Sequence, residues 1–291
     1  MWRCISGTIL YATTLAIYMS NQRKCYFDKK RIKWIMNIRV LGAHNCESED
    51  SRFVCLLIDD ILALDAGALT SSLSWQSQLR LKAVLLTHQH YDHIRDIPSL
   101  AINHFFSHAS FSIFSAQSVH DALATYMLND QTYPNFFEFP AANPSVHFTA
   151  MEPYRAENIE GYIVLPVPVN HGATAFGYQI TAPNGKTVFY TGDTGAGLSD
   201  CWEHISPQLL VIEVTAPSSY KDFATESSHL TPAMLAEELS DFRKLKSYLP
   251  EIVVVHMNPQ LEAEIAREIT ELASQLNASI TLAHEGMQIH V

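Results

Sequence analysis

From Asn37 onward the chain alternates short apolar runs with turn residues. IRVLG, FVCLLID and ILALDAG are rich in aliphatic and β-branched residues and are bounded by Gly, Asp and Asn, the pattern of strands in a layered sheet. Lys82 to Thr87 (KAVLLT) is apolar almost throughout, which suits a strand buried on both faces. Between Ile94 and Pro153 the pattern reads as helix and aromatic-rich loop, and its densest stretch, Tyr133 to Pro140 (YPNFFEFP), is expected to pack as core or lid. Strands resume with Gly161 to Val169 (GYIVLPVPV). The runs AFGYQIT and KTVFYTGD then flank Pro183-Asn184-Gly185, and an Asn-Gly pair between such runs predicts a hairpin. Leu209 to Thr215 (LLVIEVT) and Glu251 to His256 (EIVVVH) read as two more buried strands. A helix between them is expected to open at Thr231 as N-cap with Pro232 in its first turn, placing Leu235, Leu239 and Phe242 on one face. A last helix aligns Leu261, Ile265, Ile269 and Leu272, and the short strands ITLAH and MQIHV close the chain.

Before Met36 the pattern changes. Ile5 to Met19 is apolar but broken by Thr and Ser, and it is shorter than the ~20 residues of a membrane-crossing helix. A basic run from Arg23 to Lys33 follows it. The expectation is an N-terminal extension over residues 1–35, at most a weak membrane anchor, ahead of one folded domain over residues 36–291. With 47% hydrophobic and 17% charged residues, the chain has the material for a large core. Its formal charge of −11 repels a polyanion, so long nucleic acids are poor partners, whereas a small anion remains compatible with a site that holds cations. The five cysteines are scattered, odd in number and without a Cys-x-x-Cys pair, which predicts reduced thiols and a cytoplasmic protein. Whether the chain pairs as a homodimer is not encoded in these patterns.

Candidate chemistry gathers at the ends of the apolar runs. KAVLLT leads into His88-Gln89-His90-Tyr91-Asp92-His93, three imidazoles and a carboxylate within six positions. These are the donors that Zn²⁺, Mn²⁺ or Fe take when no thiolate is present. A turn at a strand end aims side chains at two points, so His88 and His90 are expected to share one metal and Asp92 and His93 another. VLPVPVN is followed by His171, VFYTG by Asp193 and IVVV by His256. Each of these alone reads as a buried, hydrogen-bonded residue. Strands running the same way, however, deliver their terminal residues to one edge, where they meet in space. His44, in a turn after the first strand, is a further candidate for the rim of such a site.

This order of residues resembles the metallo-β-lactamase superfamily, in which a His-x-His-x-Asp-His motif is followed by an isolated His, an Asp and a final His. The resemblance covers most of residues 36–291. It implies an α/β fold, the αβ/βα four-layer sandwich, and a hydrolase with two divalent metal ions, Zn²⁺ first and Mn²⁺ or Fe as alternatives. It also implies that His88, His90 and His171 hold the first ion, that Asp92, His93 and His256 hold the second, and that Asp193 in TGDTG bridges both. Asp96 departs from the pattern, since the family often has Gly there.

Within the superfamily, SHLTP (Ser228 to Pro232), VVVHMNP (Val253 to Pro259) and YPNFFEFP are similar to segments of the class II cyclic-nucleotide phosphodiesterases. Tyr91 stands where that branch has Leu, and Asn258 where it has Lys. The implied substrate is a small phosphodiester such as a 3′,5′-cyclic nucleotide, with no firm membrane association. A thioester or lactone hydrolase is the alternative from another class. The tRNA 3′-processing nucleases share the ligand order but carry a tRNA-gripping arm between the isolated His and the bridging Asp. Here only 22 positions separate His171 from Asp193, and a predicted hairpin fills them. The implied catalytic residues are Asp92 beside the metals, His229 as proton donor to the leaving alkoxide, and Glu213 as the group that orients it.

Overall fold

A computed structural model describes residues 35–291, which form one unit. The extension expected over residues 1–35 therefore lies, apart from Ile35, outside the described residues. Fourteen strands build two seven-stranded sheets. The first contains β1 (Asn37–Gly42), β2 (Cys55–Ile58), β3 (Leu62–Leu64), β4 (Ala83–Leu85), β5 (Phe111–Ser115) and β6 (Val146–Ala150). The second contains β7 (Glu157–Ile159), β8 (Tyr162–Pro168), β9 (Phe176–Thr181), β10 (Thr187–Tyr190), β11 (Leu209–Glu213), β12 (Glu251–Val255) and β13 (Ile280–Leu282). The C-terminal β14 (Gln288–His290) returns to the first sheet and pairs with β1, so the strand orders are β14-β1-β2-β3-β4-β5-β6 and β13-β12-β11-β10-β9-β8-β7.

Side-chain alternation explains the layering. In β11, Leu209 and Val211 face the core between the sheets, together with Leu56, Leu64 and Leu85 from the first sheet. Leu210 and Ile212 of the same strand face outward onto Trp202, Leu235, Leu239, Phe242, Ile265 and Ile269. A strand covered on both faces needs apolar residues at every position, which is why the run is unbroken. The outer face of the first sheet carries Leu57, Val84 and Ile113 under Leu69, Ile97, Leu100 and Leu123. The result is the expected helix–sheet–sheet–helix sandwich.

Local signals act where expected. Thr231 caps the helix Pro232–Lys246, its hydroxyl accepting from the Met234 N–H at 3.4 Å. The hairpin between β9 and β10 turns at Pro183-Asn184-Gly185, with Thr181 paired to Thr187 and Gly185 at φ +82°. Phe136 of the aromatic stretch is buried under the first sheet, with Tyr133 and Phe137 packed beside it. The helix-and-loop expectation for residues 94–153 needs correcting, because β5 and β6 lie within it. FSIFS and VHFTA are short and broken by polar residues, so neither stands out as an apolar run. No helix among the described residues is long and apolar enough to cross a membrane. Among them Cys46, Cys55 and Cys201 are free thiols.

Candidate metal centre

Parallel pairing sets the site. β3 and β4 run parallel, as do β10, β11 and β12, and β8 shares their direction through two antiparallel steps across β9. Asp65, His88, His171, Asp193, Glu213 and His256 each lie at or just beyond the C-terminal end of one of these strands. Two glycines allow the strand ends to close together. Gly192, at φ +60°, would place a Cβ 2.6 Å from the Thr87 side chain, and one on Gly67 would lie 2.3 Å from the Asp92 carbonyl oxygen.

Seven of the expected residues converge as two groups that share Asp193. One donor atom from each of His88, His90, His171 and Asp193 lies within 4.8 Å of the others, and the same holds for Asp92, His93, Asp193 and His256. His90 Nδ1 and His171 Nε2 stand 3.2 Å apart. His93 Nε2 is 3.2 Å and His256 Nε2 3.3 Å from opposite oxygens of Asp193. His88 and His90 thus fall in one group, and Asp92 and His93 in the other.

Hydrogen bonds behind the rings aim the donors. His93 donates from Nδ1 to Asp65 Oδ2 at 2.7 Å, and His88 from Nδ1 to the Thr87 hydroxyl at 3.0 Å. That hydroxyl donates in turn to Asp65. His171 donates from Nδ1 to the Ser228 carbonyl at 3.1 Å. His256 donates to the Thr215 hydroxyl at 2.9 Å, which passes on to Glu213 Oε2 at 2.8 Å. These tautomers follow from the acceptors each Nδ1 faces, and they leave the Nε2 lone pairs directed inward. The buried His88 Nε2, His93 Nε2 and Asp193 Oδ1 have no hydrogen-bond partner. Buried nitrogen and carboxylate atoms left unpaired in this way fit a pair of divalent cations.

Charge is arranged to match. Burial, with His93 and the other imidazoles adding to it, holds His88 well below the usual histidine range. Burial also acts against charge on His93, but the Asp193 and Asp65 carboxylates outweigh it and push His93 well above that range. For Asp193 and Asp92 burial opposes ionisation, and the surrounding imidazoles reverse it, so both carboxyls lie far below the usual range.

His229 and Glu213 stand beside the same donors, each with one atom within 4.8 Å of Asp193 and His256. His229 Nδ1 donates to Glu213 Oε1 at 2.6 Å, and its ring stacks on His256 at 5.2 Å and lies 5.3 Å from His171. Glu213 is fully buried and also accepts from the Thr194 and Leu230 N–H groups. Burial alone would depress His229, but Glu213 outweighs it and raises it to about 9.

Asp65 escaped the sequence reading. It takes the Thr87 N–H at 2.8 Å and the Tyr190 hydroxyl at 2.7 Å besides His93. Its signal is the one that marks Asp193 and His256, a polar residue ending an apolar strand, here ILALD. His44, expected at the rim, lies outside both donor groups and is buried behind the backbone of Met257. Asp96 replaces glycine without strain at φ −84°, and its carboxylate accepts the Thr70 N–H at 2.7 Å.

Fold and donor set together define a metal-dependent hydrolase with a His/Asp site. Residues 57–277 match the model of the beta-lactamase superfamily domain, and the chain belongs to the metallo-β-lactamase superfamily. Among solved structures it is similar to unliganded yeast PDE1, at 18% identity and TM-score 0.76 over 88% of this chain and 99% of that one. The metallo-beta-lactamase fold protein YhfI from Bacillus subtilis is 18% identical at TM-score 0.69, covering 89% and 100%. The short form of human tRNase Z is 18% identical at TM-score 0.62, covering 87% and 98%. At these identities the likeness speaks for the fold. No curated protein sequence matches the chain.

Proposed function

We propose that this protein is a two-metal phosphodiesterase acting on a small phosphodiester, with a 3′,5′-cyclic nucleotide the substrate favoured by the SHLTP, VVVHMNP and YPNFFEFP segments. The observation that carries the reading is the His229–Glu213 pair, a proton donor held beside both donor groups. In the proposal His88, His90 and His171 hold one cation, Asp92, His93 and His256 the other, and Asp193 bridges. Two such ions, zinc first with Mn²⁺ or Fe as alternatives, supply a hydroxide nucleophile near neutral pH and neutralise charge on the phosphoryl oxygens.

The chain's own residues do the rest. Asp92, the partly exposed carboxylate of its group, would orient the attacking water. Its ionised state is maintained by His256 and His93. His229 keeps one proton on Nδ1 for Glu213 and offers the other, on Nε2, to the departing alkoxide. Glu213 fixes that ring and, through Thr215, the ring of His256, so a single buried carboxylate registers donor and cation site. The −11 charge favours a small substrate over a long nucleic acid. We place the enzyme in the cytoplasm on its cysteine usage.

Elemental analysis with a panel of cyclic nucleotides, bis(p-nitrophenyl) phosphate and S-lactoylglutathione tests the reading. The expected result is two cations per chain and turnover of phosphodiesters, while hydrolysis of the thioester alone would overturn it in favour of the thioester class. His229→Ala is expected to lower kcat about 10²–10⁴-fold for an alkoxide leaving group, and much less for p-nitrophenolate, which needs no proton. Full turnover of both substrates by His229→Ala would remove the proton-donor role.

A further inference from the structure

His256 sits at φ +62°, a left-handed conformation that a residue with a Cβ keeps only when its surroundings over-determine it. Part of that determination is the bond from its Nδ1 to Thr215. The rest comes from the residues that follow. The Met257 N–H donates to the Ala43 carbonyl at 3.3 Å, the Asn45 N–H donates to the Met257 carbonyl at 3.2 Å, and the Asn258 N–H donates to the Thr215 carbonyl at 3.1 Å. The segment 43–45 thus grips the chain immediately after a proposed metal ligand, and His44 is its centre.

The His44 side chain is 5% exposed and spans two carboxylates. Its Nδ1 lies 2.8 Å from Glu285 Oε1 and its Nε2 3.3 Å from Glu262 Oε2. Glu285 belongs to the turn before β14 and also accepts the Arg52 and Ala43 N–H groups at 2.9 and 3.4 Å. Glu262 opens the helix Glu262–Leu276, six residues beyond His256. One imidazole therefore joins the end of β1, the C-terminal turn and the helix after His256. Burial opposes its charge, and the two carboxylates outweigh that and raise its pKa. A buried charge with two partners is costly to disturb and holds its neighbours in register.

We propose that His44 is a positioning residue for the second cation: it locks the segment 43–45 against Met257 and so keeps His256 in the left-handed turn that aims Nε2 at Asp193. This rests on the two-cation reading above. It touches no donor atom and acts only through the backbone of Met257.

The test is Zn²⁺ affinity measured by chelator competition on the full chain, alongside thermal unfolding of the metal-free protein. The wild-type protein should bind two ions; a smaller number would remove the underlying two-cation reading. His44→Ala is expected to weaken one of the two ions by up to about 10-fold, at or below the ~10–100-fold range seen when a group bonded directly to a ligand is lost, and to leave the other unchanged. The same substitution should add nothing further in a His256→Ala background but keep its effect in His171→Ala. Glu262→Gln, which leaves His44 paired with Glu285, should give a smaller loss of the same ion and serves if His44→Ala does not fold. Two wild-type affinities in a variant that merely melts earlier would overturn the proposal, as would equal weakening of both ions.

Discussion

The two donor groups share Asp193 yet are built differently. The group of Asp92, His93, Asp193 and His256 is mostly buried, and both of its rings lean on a carboxylate, His93 on Asp65 directly and His256 on Glu213 through Thr215. The group of His88, His90, His171 and Asp193 is more open. His171 leans on a backbone carbonyl, His88 on a hydroxyl, and exposed His90 turns its Nδ1 to the site. A carboxylate behind an imidazole raises its basicity and fixes its direction more firmly than a neutral acceptor does. One half of the site is thus the more buried and the more firmly braced; the other is the more open.

The largest effect should come from removing what the halves share. Asp193→Ala is expected to abolish both cation sites and to lower kcat/KM by on the order of 10³-fold or more; retention of one tightly held ion would show that the halves are independent. Asp65→Asn comes next, with about 10–100-fold weaker binding of one ion, read by metal competition. Because Thr87 relays Asp65 to His88, a smaller loss at the other ion should accompany it. Partial chelation should then empty the open group first. An ion present at about 100 times its Kd adds ~2.7 kcal/mol of stability, so two separate melting shifts are expected as chelator rises, and a single step would contradict the asymmetry.

The smallest effect concerns the bracing of His256 from behind. Glu285 is lowered to about 2 from 4.5, because its bonds to His44 and to backbone amides outweigh burial, and His44 is raised above 6.5. Stability from a depressed carboxyl is present above 4.5 and lost as pH falls towards 2. Stability from a raised histidine is complete below 6.5 and lost as pH climbs through its folded value. The difference in melting temperature between wild-type and Glu285→Gln metal-free protein should therefore be greatest between pH 4.5 and 6.5 and shrink on either side.

Most of this asymmetry could not be read along the chain. The donors could, because each ends an apolar run and the imidazoles of His88, His90 and His93 cluster within six positions. Their outer partners were harder to find: Asp65 ends the apolar run ILALD as the donors end theirs, but Thr215 looks like an ordinary strand-end residue, and only the parallel registers of β3–β4 and β11–β12 bring the two behind a ring. His44 was singled out for its position and then found to face two glutamates more than 200 residues away, a pairing without local signal. The unbroken runs pointed to strands buried on both faces and the motif resemblance to the four-layer sandwich, whereas β5 and β6 are short and broken by polar residues, so no apolar run marks them.

The Asn184-Gly185 hairpin lies at the start of β10, whereas Asp193 follows its end. About 13 Å of strand, at ~3.3 Å per residue, separates the turn from the donor atoms, and residues 183–186 are all exposed. A fluorophore or short epitope grafted at that turn can thus be tracked through unfolding and assembly while the chemistry at the opposite lip proceeds undisturbed.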